Sequence, residues 1–158
     1  MLSYITISKA GYDDLSDILK IQKQAFVSEA KLYNNYNIEP LTQSLQSIQS
    51  DYADYIFLKA EYNNRIIGSV KFREINGVCW IGKLIVTPEY QGKGIGRRLL
   101  QEIEKYFSRT EQFCLFTGSK SVNNIRLYES LGYTKEEEFL DDKNPGLILL
   151  KMIKIVRL

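Results

Sequence analysis

Apolar residues recur along this chain with two different spacings, and each spacing predicts a kind of element. Short runs that alternate or stay continuously apolar, bounded by turn residues, predict strands near 3–9, 55–60, 65–73, 78–86, 113–117, 133–139 and 146–153. Spacings of three and four predict helices instead. Near 12–28, Leu15, Ile18, Leu19, Ile21, Ala25 and Phe26 share a face, with Asp13 and Asp14 in the first turn. Near 41–52, Leu41, Leu45, Ile48 and Tyr52 are placed inward. Near 95–107, Ile95, Leu99, Leu100, Ile103 and Phe107 line one side, while Arg97, Arg98, Glu102 and Lys105 take the wet side. A fourth helix takes Ser121 as its cap and stops at Leu131, with Gly132 in the terminating position. Residues 29–40, EAKLYNNYNIEP, follow no clean period and read as a loop or broken helix that Pro40 ends.

The sum is a mixed α/β chain (α+β by some schemes) with about seven strands and about four helices. Tyr-Asn-Asn and Ile-Asn-Gly turns join the strands over 55–86 into an antiparallel meander. The strand after the crossover helix runs parallel to the one before it. Trp80 is assigned to the core.

The loop between the strand over 78–86 and the following helix carries the chemistry. Pro88 has no N–H to give a ladder, so the strand stops by Thr87. Gly92, Gly94 and Gly96 then lead into a helix N-terminus, where unpaired N–H groups and the positive dipole end attract anions. Glycines let the backbone approach a phosphate and take positive φ. Lys93, Arg97 and Arg98 add positive charge nearby. A Walker loop needs Ser or Thr after Gly-Lys, but Lys93 is followed by Gly94; a dinucleotide fingerprint needs a third glycine where Leu99 and its neighbours stand. A pyrophosphate on the amides of Gln91–Gly96 and a plain helix-capping turn are the two readings left.

Composition narrows the rest. The chain has 158 residues, 44% hydrophobic and 25% charged, which suits one soluble domain over 1–158 with its own core. A net charge of +2 argues for neither nucleic acid nor a membrane surface. The C-terminal apolar run is broken by Lys151 and Lys154, and the N-terminus turns polar at once, so the chain reads as cytoplasmic. With no histidine, a Ser-His-Asp triad and the common zinc sets are excluded. Cys79 and Cys114 are too few for a metal cluster and read as reduced core thiols, so no metal is expected.

The form Gln-x-x-Gly-x-Gly from Gln91, after a strand ending Val-Thr-Pro, resembles the acetyl-CoA-binding motif of the GNAT superfamily of N-acetyltransferases. Asn124, then Leu127-Tyr128-Glu129 and Leu131-Gly132-Tyr133, resemble its second hallmark. The resemblance implies a mostly antiparallel twisted sheet whose central parallel pair splays apart to hold coenzyme A. It implies an N-acetyltransferase that moves an acetyl group from acetyl-CoA to a primary amine by direct attack through a tetrahedral intermediate. The alternative is a non-catalytic acyl-CoA-binding module or sensor on the same fold.

Carried over, the backbone of Leu84, Ile85 and Val86 pairs with the pantetheine arm, and an N–H at Ile85 or Val86 polarises the thioester oxygen. Gln91, Gly92, Lys93, Gly94, Ile95, Gly96 and Arg97 surround the pyrophosphate, and Asn124 reaches the coenzyme arm. Tyr128 is the general acid for the departing thiolate, a role suited to a phenol that stays protonated at neutral pH. Packing on a helix is its alternative role. Some members carry a catalytic glutamate on the strand before the glycine loop; residues 78–86 hold no carboxylate. Glu29, Glu39 and Glu74 are the candidate bases by location. The segment over 29–40, with Glu29, Tyr33, Tyr36 and Glu39, is the expected wall of a pocket for a small-molecule or peptide amine. Homodimers are common in the superfamily, so self-association is implied by the resemblance alone.

Overall fold

The computed structural model describes residues 4–106, 110–143 and 146–156. The chain begins with β1 (Thr6–Lys9), α1 (Leu15–Tyr33), α2 (Glu39–Thr42) and α3 (Leu45–Asp54). The meander β2 (Ile56–Tyr62), β3 (Arg65–Ile75) and β4 (Val78–Val86) follows, then α4 (Ile95–Glu104). β5 (Gln112–Gly118), α5 (Val122–Ser130), β6 (Thr134–Leu140) and β7 (Ile148–Ile155) complete it. All seven strands join one sheet in the order β1-β2-β3-β4-β5-β7-β6. Every neighbouring pair is antiparallel except β4–β5, which is parallel as the crossover helix requires.

Adjacent residues on a strand point to opposite faces, and the core divides accordingly. Leu58, Ile67 and Phe72 pack with Ile95, Leu99, Leu100 and Ile103 of α4 and with Ile125 and Tyr128 of α5. Their strand neighbours Phe57 and Ile66 turn the other way and pack with Leu15, Ile18 and Ile21 of α1 and Ile48 of α3. The faces read from the spacing for α1 and α4 are the buried or partly buried ones, although Phe107 lies outside the described residues.

The functional feature of the sheet is where β4 and β5 part. They pair only from Val78↔Gln112 to Ile81↔Leu115. Beyond that, β4 continues to Val86 and β5 to Gly118 without pairing to each other. A bulge in β4 accompanies the split. Against β3, Ser69 pairs with Ile85 and Lys71 with Gly82, so Lys83 and Leu84 oppose the single residue Val70. Lys83 takes a left-handed φ of 50° there. A bulge of this kind re-aims side chains and sharpens local twist.

Four local expectations are corrected. Helix α1 does not stop near residue 28; it runs to Tyr33 and ends on Asn34 at φ 51°. Its last turns show no apolar period because Glu29 faces an open cleft while Ala30 alone is fully buried. The helix near 41–52 is two helices, with Pro40 in the first turn of α2 rather than closing a loop. They break at Gln43, whose side chain turns inward to Gln22, Ser47 and Asp51, and Leu45 is exposed, not inward. Trp80 is half-buried on an outer face, stacked on Phe116 at 6.0 Å between centroids, not in the core. Ser121 stands at the α5 N-cap but gives the helix no side-chain bond, because its hydroxyl is used elsewhere.

Candidate functional site

The split between β4 and β5 opens two clefts that meet. The first, of about 740 Å³, runs along Leu84, Ile85 and Val86, past the glycine loop to the N-terminus of α5. The loop has the character its sequence predicts. Gly92 and Gly94 sit at φ 76° and 82°, where a Cβ is strained. Gln91 folds its amide back onto the Val86 carbonyl at 2.9 Å, tying the loop to the strand end. Residues 91–94 are exposed, and among the described residues no protein acceptor takes the N–H groups of Gly92 through Gly96. These are free donors at a helix N-terminus facing a cleft, an arrangement that suits a diphosphate.

Gly92, Gly94, Ile95, Gly96, Arg97 and Asn124 all line this first cleft, as does Gln91. Lys93 does not; it is exposed and lines neither cleft. Arg97 donates to Ser130 Oγ at 2.6 Å along the rim. Arg98 leaves the site altogether and donates to the Ile5 carbonyl at 3.0 Å. The amide of Thr87 bonds the Ile67 carbonyl of β3. By the two-residue alternation of an antiparallel ladder, Ile85 faces β3 as well and the Val86 N–H is turned to the open edge.

The second cleft, of about 650 Å³, lies behind the first. Phe26, Glu29, Leu84 and Asn124 line both, so they mark the junction. Glu29 Oε2 accepts from Ser121 Oγ at 2.6 Å, and Glu29 Oε1 from Asn124 Nδ2 at 3.4 Å. Ser121 gives its proton to Glu29, so the Tyr33 hydroxyl donates to Ser121 Oγ (3.1 Å) and itself accepts the Lys120 N–H (2.8 Å). A chain of hydroxyls therefore leads from the β5–α5 turn to the Glu29 carboxylate. Burial raises the Tyr33 phenol above its ordinary value.

Tyr128 lines the second cleft and is 6% exposed, edge-to-face with Tyr133. Burial lifts its phenol well above the ordinary range, and the Glu29 carboxylate adds to the effect. It is therefore fully protonated at neutral pH. Glu39 is also here but is ion-paired to Lys83 at 2.8 Å. Glu74 is not: it sits opposite Cys79 near the far end of β3 and lines neither cleft. Tyr36 is exposed outside both, and Glu29 and Tyr33 reach the wall from a helix rather than a loop.

Three participants were not read from the sequence. Lys83 enters the second cleft from the bulge; a lysine inside the run Trp-Ile-Gly-Lys-Leu-Ile-Val was the visible signal. Gln43 bonds Lys83 at 2.7 Å and is buried with Gln22, a polar pair that no local pattern marks. Gly118 makes room for Tyr33, a contact between residues far apart in the chain. Among the described residues no group of acidic or cysteine side chains is placed to hold a metal ion, and no helix is long and apolar enough to cross a membrane.

A sheet opened at its one parallel pair, with unpaired loop amides at the mouth, is a fold shared with N-acetyltransferases. It matches the structure of yncA, a putative acetyltransferase from Salmonella typhimurium solved with its cofactor acetyl-CoA, at a TM-score of 0.74 and 23% identity, over 98% of this chain and 95% of that one. The acetyltransferase (GNAT) family model matches residues 15–133, and the chain belongs to that family. It is 28% identical over 137 residues to an L-methionine sulfoximine/L-methionine sulfone acetyltransferase of Salmonella typhimurium, covering 82% of this chain and 80% of that protein. It is 26% identical over 135 residues to a spermidine N(1)-acetyltransferase of Thermoplasma acidophilum, covering 78% and 77%. Against another curated relative, the matched stretch spans 35% of that protein's length.

Proposed function

We propose that this chain transfers an acetyl group from acetyl-CoA to a primary amine by direct attack, with Glu29 as base and Tyr128 as acid. The observation that carries the reading is the junction of the two clefts. A donor threaded along Leu84–Val86 from the glycine loop would present its thioester beside Glu29 and Asn124, where the second cleft opens. The Val86 N–H, turned to the open edge, is the donor aimed at the oxygen that gains charge as the amine attacks.

Proton flow follows from the groups present. An alkylammonium with pKa about 10 must lose a proton before it is nucleophilic. Glu29 is the carboxylate at the junction, and its partners, the Ser121 hydroxyl and the Asn124 amide, leave it in contact with the second cleft. As the C–N bond forms and the C–S bond breaks, the nitrogen sheds two protons in all. One passes to solvent by way of Glu29. The other restores Tyr128 after the phenol has protonated the departing thiolate. Glu39 is a weaker base candidate because Lys83 already holds it.

The test is incubation with acetyl-CoA and a panel of amines, following free thiol. Amine-dependent thiol release that falls at least about a hundredfold in Glu29→Gln supports the reading, since general base catalysis contributes about 10²–10⁴. Tight acetyl-CoA binding with no release from any amine would leave the binding module or sensor instead.

A further inference from the structure

The second cleft has polar groups at both ends, and they differ in sign. At the junction stands the Glu29 carboxylate, and Tyr128 lines the second cleft. At the other side Lys83 enters from the β4 bulge, its side chain only 16% exposed. The left-handed φ of 50° at a lysine, strained relative to ordinary strand geometry, is what directs it inward. An ammonium has three protons to donate. Two are used, to Glu39 Oε1 at 2.8 Å and Gln43 Oε1 at 2.7 Å. Among the described residues no third protein acceptor is present. Gln43 is itself fixed by Gln22, Ser47 and Asp51, so the ammonium is held in place rather than mobile.

Of the other two lysines of the wall, Lys71 and Lys143, the first is engaged differently. It pairs with Asp51 at 3.1 Å and lies over the Tyr55 ring at 4.3 Å. Glu39 and Asp51 are thus each matched by a lysine, and neither is a spare anion for a polycation. An acceptor bringing several positive charges would meet three lysines beyond the junction, Lys71, Lys83 and Lys143, alongside the carboxylates of Glu39, Asp51 and Asp141. An acceptor bringing one amine and one anionic group would meet Glu29 with the first and the spare proton of Lys83 with the second. A charge-assisted hydrogen bond inside a cleft of this kind is stronger than its solvent-exposed counterpart.

Resting on the acetyl-transfer reading, we infer that the acceptor is an amino-carboxylate, its amine delivered to Glu29 and its carboxylate taken by Lys83. The experiment compares acceptors that differ only in that carboxylate: α- and ω-amino acids against their primary amides and their decarboxylated amines, with spermidine alongside. Thiol release gives kcat and KM for each. The carboxylate form is expected to lead by about tenfold or more in kcat/KM, expressed in KM. In Lys83→Met that lead shrinks towards one, and in Lys83→Arg part of it returns, because a guanidinium also binds carboxylate. The wild-type comparison stands even where a variant folds poorly.

Equal turnover of acid, amide and decarboxylated amine, a preference for spermidine, or an undiminished lead in a folded Lys83→Met overturns the inference and leaves acetyl transfer standing. No thiol release from any amine defeats the transfer reading, and the carboxylate anchor with it.

Discussion

Gly118→Ala isolates the contact that seats Glu29. The backbone of Gly118 is not in the left-handed region, so alanine is tolerated there on conformational grounds. Space is the obstacle. A Cβ would meet Tyr33 Cε2 at 2.8 Å, with Cζ and Oη closer still. Tyr33 cannot slide away without loss, because its hydroxyl accepts from the Lys120 N–H and bonds Ser121 Oγ. Forcing the overlap costs about 1–3 kcal/mol, the usual range for overpacking. Swinging Tyr33 out instead forfeits two hydrogen bonds at about 0.5–1.5 kcal/mol each. The two routes cost the same, so neither rescues the variant. Against them, Gly→Ala returns about 0.4–1 kcal/mol through the unfolded chain. Urea unfolding should therefore show a net loss of about 1–2 kcal/mol. In a Tyr33→Ala background the ring is absent, and Gly118→Ala should become neutral or slightly stabilising, a coupling of about 2 kcal/mol in a double-mutant cycle. An equal cost in both backgrounds would refute the argument, since the penalty would then not come from the phenol.

Tyr128→Phe should lower kcat by about 10²–10⁴ while coenzyme A binding, measured by calorimetry, stays within a few-fold; unchanged turnover with a good acceptor assigns the residue to packing. Acetyl-CoA should bind with a micromolar Kd and, at a hundred times that Kd, add about 2.7 kcal/mol of stability. S-acetylpantetheine, lacking the diphosphate, should raise Tm far less, and an equal shift would remove the role given to the amides of residues 91–96. Cys79 and Cys114 are pushed up to about 12 and about 11 by burial. Below those values each is a protonated thiol, so native protein at pH 8 should not react with a disulfide reagent, and both thiols should react in guanidinium. Rapid labelling of the folded protein would contradict their burial, and it would also spoil the thiol-release assay.

The linear chain determined what depends on near neighbours. Alternation and turn residues placed all seven strands, because a strand's two faces repeat every second residue whatever it later packs against. Glycine spacing placed the open loop, since φ values of 76° and 82° at Gly92 and Gly94 are a local demand. The hallmark around Tyr128 likewise marks a residue that lines a cleft.

Tertiary structure decided what depends on partners distant in the chain. The length of α1 was hidden because its last turns face an open cleft instead of the core. Among Glu29, Glu39 and Glu74, identical in chemistry, one meets Ser121 and Asn124, one is tied to Lys83, and one lies far along β3. Ser121 looked like a helix cap, and its hydroxyl went to Glu29, 92 residues away. Lys83 acquired its direction from a bulge, which exists only once β3 and β4 are paired. A side chain's type limits what it can do; the charges and donors the fold sets beside it select which of those things it does.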